Sequence, residues 1–346
     1  MKALLYSDVH FSQDSSIVRS MGNKYSTRLE YLVKSLNWAE DLAEKEGCSV
    51  IFNLGDMFDK STLNAMELTA LKDVKWANIE HFILVGNHDS NVNSLDYSST
   101  EVLAKIPHFN IVSKIGTLIL DRTLFWLLPY ITEQDRKPLS YYHKLLDENT
   151  NVKRKIILSH NDLKGIQLGK YVSQEGFDIN DISNDCDLCL NGHIHNSNWI
   201  NKKILNLGDL CGQTFNEDSF KYKHCAYILD TDTLSIKPYE NPYSLNFYKI
   251  EINEKHPTLK NYSFKNNVVL MIRCERRFQE KLRKELEENK NIIASKILIY
   301  DENISSNKEE NIKIEKLDYL KTFNDFILNN MENNDIIKEE LNKICK

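Results

Sequence analysis

Phe82-Ile83-Leu84-Val85-Gly86-Asn87-His88-Asp89 joins four apolar residues directly to a cluster of hydrogen-bonding side chains. A short, continuously apolar run that stops at glycine reads as a strand buried on both faces, the kind found in parallel sheets. Open α/β sheets collect their functional groups where such strands end. The same arrangement recurs four more times. Ala3 to Tyr6 leads into Ser7-Asp8-Val9-His10, and Val50 to Leu54 into Gly55-Asp56-Met57-Phe58-Asp59. Ile156-Ile157-Leu158 leads into Ser159-His160-Asn161-Asp162, and Leu188-Cys189-Leu190 into Asn191-Gly192-His193-Ile194-His195.

Taken singly, these clusters say little, because an aspartate after a strand usually caps a turn or helix. Five strand ends that all deliver Asp, His or Asn form a specific pattern, and it points to a dinuclear metal site. His193 and His195 are one residue apart; in an extended segment both imidazoles would lie on one face and Ile194 would enter the core.

Between the strands, Leu29, Leu32, Val33, Leu36, Ala39, Leu42 and Ala43 have the spacing of an amphipathic helix, and Gly47 is placed to end it. A second helix is expected around Asn64 to Leu71, so the first 85 residues look like consecutive βαβ units. Thr117 to Leu120 and Thr123 to Leu128, joined at Asp121-Arg122, read as a hairpin.

Composition limits the alternatives. The chain has 346 residues, 41% hydrophobic and 27% charged, an ordinary globular mixture of about two domains by length. The amino terminus meets Asp8 before a signal peptide's apolar region could be completed, and no run reaches the length of a membrane span. The expected location is the cytoplasm, with no membrane partner. Seven widely spaced cysteines do not form a disulfide framework. Cys186-Asp187-Leu188-Cys189 spells CxxC without a second copy, so these are expected to be buried structural thiols. A net charge of -6 argues against a generally basic nucleic-acid surface, but not against a phosphate substrate held by a local metal site.

The ordered set DxH, GDxxD, GNHD, SH and GHxH resembles the motifs of the calcineurin-like metallophosphoesterases over residues 1 to about 235. The resemblance implies an α/β fold, a double-sheet sandwich flanked by helices. It also implies two divalent cations, one held by Asp8, His10 and His195, the other by Asn87, His160 and His193, with Asp56 bridging both. His88 would be the catalytic residue that is not a ligand, and Asp89 would orient it. Two carboxylates against two divalent cations leave excess positive charge, and cations about 3.5–4 Å apart can activate a water and clamp a phosphoryl group. Mixed His, carboxylate and amide donors suit manganese best, with magnesium, iron or zinc as alternatives.

The chain continues well past this region. Pro238 and Pro242 mark a linker, Asn246 to Ile252 and Val268 to Ile272 read as strands, a charged helix runs from about Arg276 to Glu288, and Ile297 to Tyr300 closes a βαβ module. The helix charges are most simply a solvated face. Farther on, Leu317, Leu320, Phe323, Phe326 and Ile327 lie near helical spacing, a stripe that suits either a core or a partner's groove.

This layout resembles the SbcD-type DNA repair nucleases, and its compactness is similar to that of phage-encoded recombination endonuclease subunits. Leu205-Asn206-Leu207-Gly208-Asp209 and Gln213-Thr214-Phe215-Asn216-Glu217 also resemble the segment that follows the last metal motif there. Asp59 stands where some relatives carry His. The implied domains are a nuclease domain over 1–240, a DNA-capping domain over 246–305 and a helical segment over 312–346. That segment would bind an SMC-like coiled-coil ATPase. The implied activity is double-strand exonuclease and single-strand endonuclease cleavage of DNA by a homodimer in recombination or repair, in the host cytoplasm if phage-encoded. Two alternatives share the sequence: a stand-alone phosphatase or cyclic-nucleotide phosphodiesterase, and a non-catalytic DNA-binding scaffold.

Overall fold

The computed structural model describes residues 1–14, 24–91, 94–146, 151–168 and 171–300. Two six-stranded sheets face one another. In the first, strands Lys2–Tyr6, Val50–Asn53, Glu80–Leu84 and Phe109–Val112 run parallel, and Cys225–Asp230 and Ser235–Glu240 extend it antiparallel from Lys2–Tyr6. In the second, Thr123–Leu128, Arg154–Ser159, Leu188–Asn191 and Ile204–Asn206 run parallel, with Gly116–Leu120 and Asn198–Trp199 as antiparallel edges. The expected hairpin turns at Asp121 and Arg122, both at positive φ (45° and 62°), as a tight two-residue connection requires.

The period of two along each strand sorts the core into layers. Ala3, Leu5, Val50, Phe52 and Leu84 meet Phe125, Leu127, Ile156, Leu158 and Leu190 between the sheets. Leu4, Tyr6 and Ile51 point to the opposite face, where the Thr27–Glu46 and Ala65–Leu71 helices cover them. Helix Leu139–Leu146, not anticipated in the sequence, covers the outer face of the second sheet through Leu139 and Tyr142. The first helix buries every residue of its apolar stripe. Ser26 caps its start by accepting from the Leu29 amide, and Gly47 ends it at φ 69°. The fold is therefore the expected mixed α/β sandwich flanked by helices, and its buried parallel strands explain the continuous apolar runs. Cys186 and Cys189 are buried, and burial pushes the Cys186 thiol up to about 12, as inert structural thiols require.

Strands Asn246–Ile252, Val268–Glu275 and Ile292–Tyr300 form a parallel three-stranded sheet, with helix Gln279–Glu288 crossing between the last two. Leu282 is the one fully buried residue of that helix, so its charges are indeed a solvated face. One face of the sheet has its own core around Tyr248, Ile250, Leu270 and Ile272. The other face does not stand apart. Leu245, Phe247 and Val269 belong to the same cluster as Leu29 and Leu36 of the first helix, and residues 1–300 form one compact unit. The boundary expected between 240 and 246 is thus continuous in its packing. Residues 301–305, the 312–346 segment and its Leu317 to Ile327 stripe lie outside the described residues. Among the described residues no helix is long and apolar enough to cross a membrane.

Candidate metal centre

The parallel strands of both sheets end at one place, and the loops beyond them are stitched together by backbone. The Asp8 amide donates to Gly55 O, His10 to Asp56 O, Phe11 to Met57 O, and Gly192 to Ser159 O. Asp8, His10, Asp56 and His193 all sit at positive φ (52°, 46°, 50° and 77°), a conformation costly for non-glycine residues and concentrated at functional sites. Gly86 is required by this crowding, since a Cβ there would lie 2.1 Å from Asp56 Oδ1.

Two donor groups result. Asp8, His10 and His195 can bring one ligand atom each within 4.8 Å of one another, and so can Asp56, His160 and His193. His10 Nε2 and His195 Nε2 face each other at 3.1 Å, and Asp8 Oδ1 lies 4.0 and 3.9 Å from them. Asp56 Oδ2 is 3.7 Å from His10 Nε2 and 3.1 Å from His160 Nε2, so one oxygen borders both groups. Asn87 Oδ1 completes the second group at 3.3 Å from His160 Nε2.

The hydrogen-bond chemistry of these donors fits cations. His10 Nδ1 pairs with Asp59 Oδ1 at 3.1 Å, His195 Nδ1 with Glu217 Oε1 at 3.0 Å, and His160 Nδ1 with the Leu54 carbonyl at 2.5 Å. All three partners are acceptors, so each Nδ1 carries a hydrogen and Nε2 is the nitrogen turned inward. A positive charge placed between these nitrogens and the carboxylate oxygens, a proton or a metal cation, is attracted to all of them. Bonds of about 2.0–2.2 Å to a single ion leave neighbouring donors roughly 3–3.5 Å apart, the range seen for the tighter pairs. The carboxylates and carbonyl behind the imidazoles fix tautomer and orientation, as outer partners of metal-binding histidines do.

The charges agree. Burial opposes ionising His160, but Asp56 and then Asp8 outweigh it and raise its pKa to about 9. Burial likewise opposes His195, which Glu217, Asp8 and Asp209 bring up to about 10. Burial resists ionising Asp56 too, yet His160, His10 and His88 hold its carboxyl well below the usual range. A group whose pKa is raised above the solution pH keeps its proton, and a divalent cation must displace that proton to reach the nitrogen. At pH 7.5, loading with Mn2+ is therefore expected to release about two protons per chain, and fewer as pH rises through 9 to 10. Titration calorimetry in buffers of different ionisation enthalpy measures this; binding heats that ignore the buffer would contradict the charge assignment.

Every residue expected in the ligand sets, Asp8, His10, Asp56, Asn87, His160, His193 and His195, lies in this cluster. Two expectations about geometry need correction. The segment around His193 is not extended. Its left-handed backbone at His193 turns the rings apart, so His193 Nε2 meets Asp162 Oδ1 at 3.1 Å while His195 Nε2 meets His10. Asp89 does not orient His88. It is fully buried, and its carboxylate accepts from the backbone amides of Phe58 (2.7 Å), Gly86 (2.9 Å) and Met57 (3.3 Å), clamping two site loops together. Burial and the Asp56 charge push its pKa up to about 7.

The neighbour of His88 is Asp59. Its carbonyl lies 3.2 Å from His88 Nδ1 and its carboxylate 3.8 Å, while the same carboxylate holds His10. Asp59, Asp162 and Glu217 were all visible beside the motifs, but nothing in their spacing marked them as imidazole partners. Gln213 also enters the site, donating through Nε2 to the Asp8 carbonyl while Arg28 holds its amide oxygen.

A family model described as calcineurin-like phosphoesterase matches residues 1–197. The 078R protein of Invertebrate iridescent virus 3, which bears a phosphoesterase designation, is 25% identical over 139 residues, 39% of this chain and 39% of that protein. The match thus spans well under half of the relative's length. Among solved structures, an archaeal phosphodiesterase is 14% identical, covering 69% of this chain and 99% of its own, with a TM-score of 0.37. A dimetal phosphatase from Danio rerio is 11% identical over 69% and 96% of the two chains, with a TM-score of 0.40. Pseudomonas putida nuclease MPE is 16% identical over 68% and 87%, with a TM-score of 0.29.

Proposed function

Because the chain belongs to the calcineurin-like phosphoesterase family, we propose that it hydrolyses phosphodiesters and that its substrate is DNA. The observation that carries the hydrolytic reading is the pair of donor groups bordered by one Asp56 oxygen, with His88 at the open rim. Asp8, His10 and His195 would hold one cation and Asn87, His160 and His193 the other, with Asp56 between them. When bound, the cations would supply the charge that draws phosphoryl oxygens and activates water. The His88 side chain is 45% exposed, so it can reach substrate. Its Nδ1 faces a carbonyl, which only accepts, so Nδ1 keeps its hydrogen and Nε2 is the atom that passes a proton to the departing ester oxygen.

Two cavities favour a diester over a monoester. One of about 950 Å3 has Asn87 and Tyr130 in its wall, and another of about 450 Å3 has His193 and His195. Each adjoins the centre, leaving room for a substituent on both ester oxygens. The nuclease reading of SbcD type rests on the motif layout and on the parallel three-stranded module that follows the sandwich. In that reading the module approaches DNA, the chain dimerises, an SMC-like ATPase binds the carboxyl-terminal region, and manganese is the metal used.

The deciding experiment offers end-labelled duplex and single-stranded DNA beside bis-p-nitrophenyl phosphate, with Mn2+. DNA cleavage is expected. Hydrolysis of the small diester with intact DNA, in the presence of excess metal, would favour the stand-alone phosphodiesterase. No hydrolysis of either would favour the scaffold.

A further inference from the structure

The smaller cavity is built for something other than phosphate. Among its described lining residues there is no lysine or arginine, and its two carboxylates are already engaged: Asp162 with His193 Nε2, and Glu217 with His195 Nδ1. A second phosphate would meet two acids, and the nearest guanidinium, Arg136, lies outside the lining and is already paired with Asp162. The rest of the lining is apolar or neutral. Ile166 and Ile194 supply hydrocarbon, and Asn216 presents an exposed amide. Asn196 Oδ1 is buried in the wall with no hydrogen-bond partner, an acceptor whose desolvation is uncompensated until a donor arrives. The volume, about 450 Å3, lies in the range of small-ligand sites.

From these features we infer that the cavity beside His193 and His195 is a nucleobase subsite, taking the base of a nucleotide esterified to the scissile phosphate. The base lies against Ile166 and Ile194 and turns an N–H edge to Asn196. The assignment rests on the phosphodiesterase reading above. It deepens that reading by making one arm of the substrate a recognised nucleoside rather than any organic group.

Thymidine 5′- and 3′-(p-nitrophenyl phosphates) share their leaving group with methyl p-nitrophenyl phosphate, so comparing kcat/KM isolates recognition of the other arm. At least one thymidine ester is expected to exceed the methyl ester by about tenfold or more, the discrimination a shaped apolar pocket with one hydrogen bond provides. That preference should fall several-fold on N3-methylation of the thymine, which deletes the N–H donor and needs no protein variant. It should also fall in Ile166→Trp, which fills the cavity; a thermal melt verifies that this variant is folded. Equal use of methyl and thymidine esters by the wild type would overturn the subsite and leave the phosphodiesterase reading intact. A preference that survives both N3-methylation and a folded Ile166→Trp would place recognition elsewhere and equally overturn it. Failure to hydrolyse any ester with Mn2+, Mg2+, Fe2+ or Zn2+ would overturn the phosphodiesterase reading itself, and the subsite with it.

Discussion

Asp56→Asn is expected to lower diester hydrolysis by more than about 1,000-fold and to leave the purified protein with less than its full complement of metal. Asp56 is one of two carboxylates in the proposed ligand sets, and its Oδ2 borders both donor groups, 3.7 Å from His10 Nε2 and 3.1 Å from His160 Nε2. Asparagine is the informative replacement. Asp56 sits at φ 50°, a conformation asparagine tolerates and alanine does not, and its Oδ1 accepts the His88 amide at 2.9 Å, which an amide oxygen can still do. The variant therefore removes the bridging charge while preserving the loop. Metal analysis beside kcat separates the two effects. A variant with full metal content and near-wild-type turnover would remove Asp56 from the bridging position.

His88→Ala is expected to reduce DNA cleavage by about 100- to 10,000-fold, the range for losing a general acid, while metal content stays at the wild-type level. The metal measurement is essential, because His88 can also bring a nitrogen within 4.8 Å of ligand atoms on His10 and Asp56. If the variant loses metal along with activity, His88 is a ligand and its assignment as the proton donor fails. A second readout comes from the leaving group. A p-nitrophenolate departs with little help from an acid, so the loss on bis-p-nitrophenyl phosphate should be smaller than on DNA. Equal losses on both would point to a purely electrostatic or structural role. Asp59→Ala keeps the backbone carbonyl that His88 Nδ1 faces and removes the carboxylate that pairs with His10 Nδ1, so it should lower metal content along with turnover and leave the leaving-group trend unchanged.

Much of this site was legible without coordinates, for a specific reason. Strands buried on both faces are written as continuous apolar runs, so the polar residues that end them stand out. DxH, GDxxD, GNHD, SH and GHxH identify the residues that cluster, because each belongs to a loop held by its own strand. The outer layer was not legible. Asp59, Asp162 and Glu217 contact His10, His193 and His195 at separations of 49, 31 and 22 residues, and no local period links such pairs. Asp89 shows the opposite failure. Its adjacency to His88 suggested a partnership, but the backbone sends its side chain inward to the amides of Met57 and Phe58 in a neighbouring loop and of Gly86 in its own.

By itself, the sequence determined the first helix, the strands that carry the motifs, the α/β class and the residue types that meet at the strand ends, all of which follow from local periodicity and capping. Only the tertiary structure decided which nitrogen of each imidazole faces inward, which carboxylate backs which ring, and that the segment after Pro242 shares the first helix's core. Those outcomes depend on packing between elements far apart in the chain, where a left-handed residue such as His193 or a close approach such as Gly86 to Asp56 redirects a side chain.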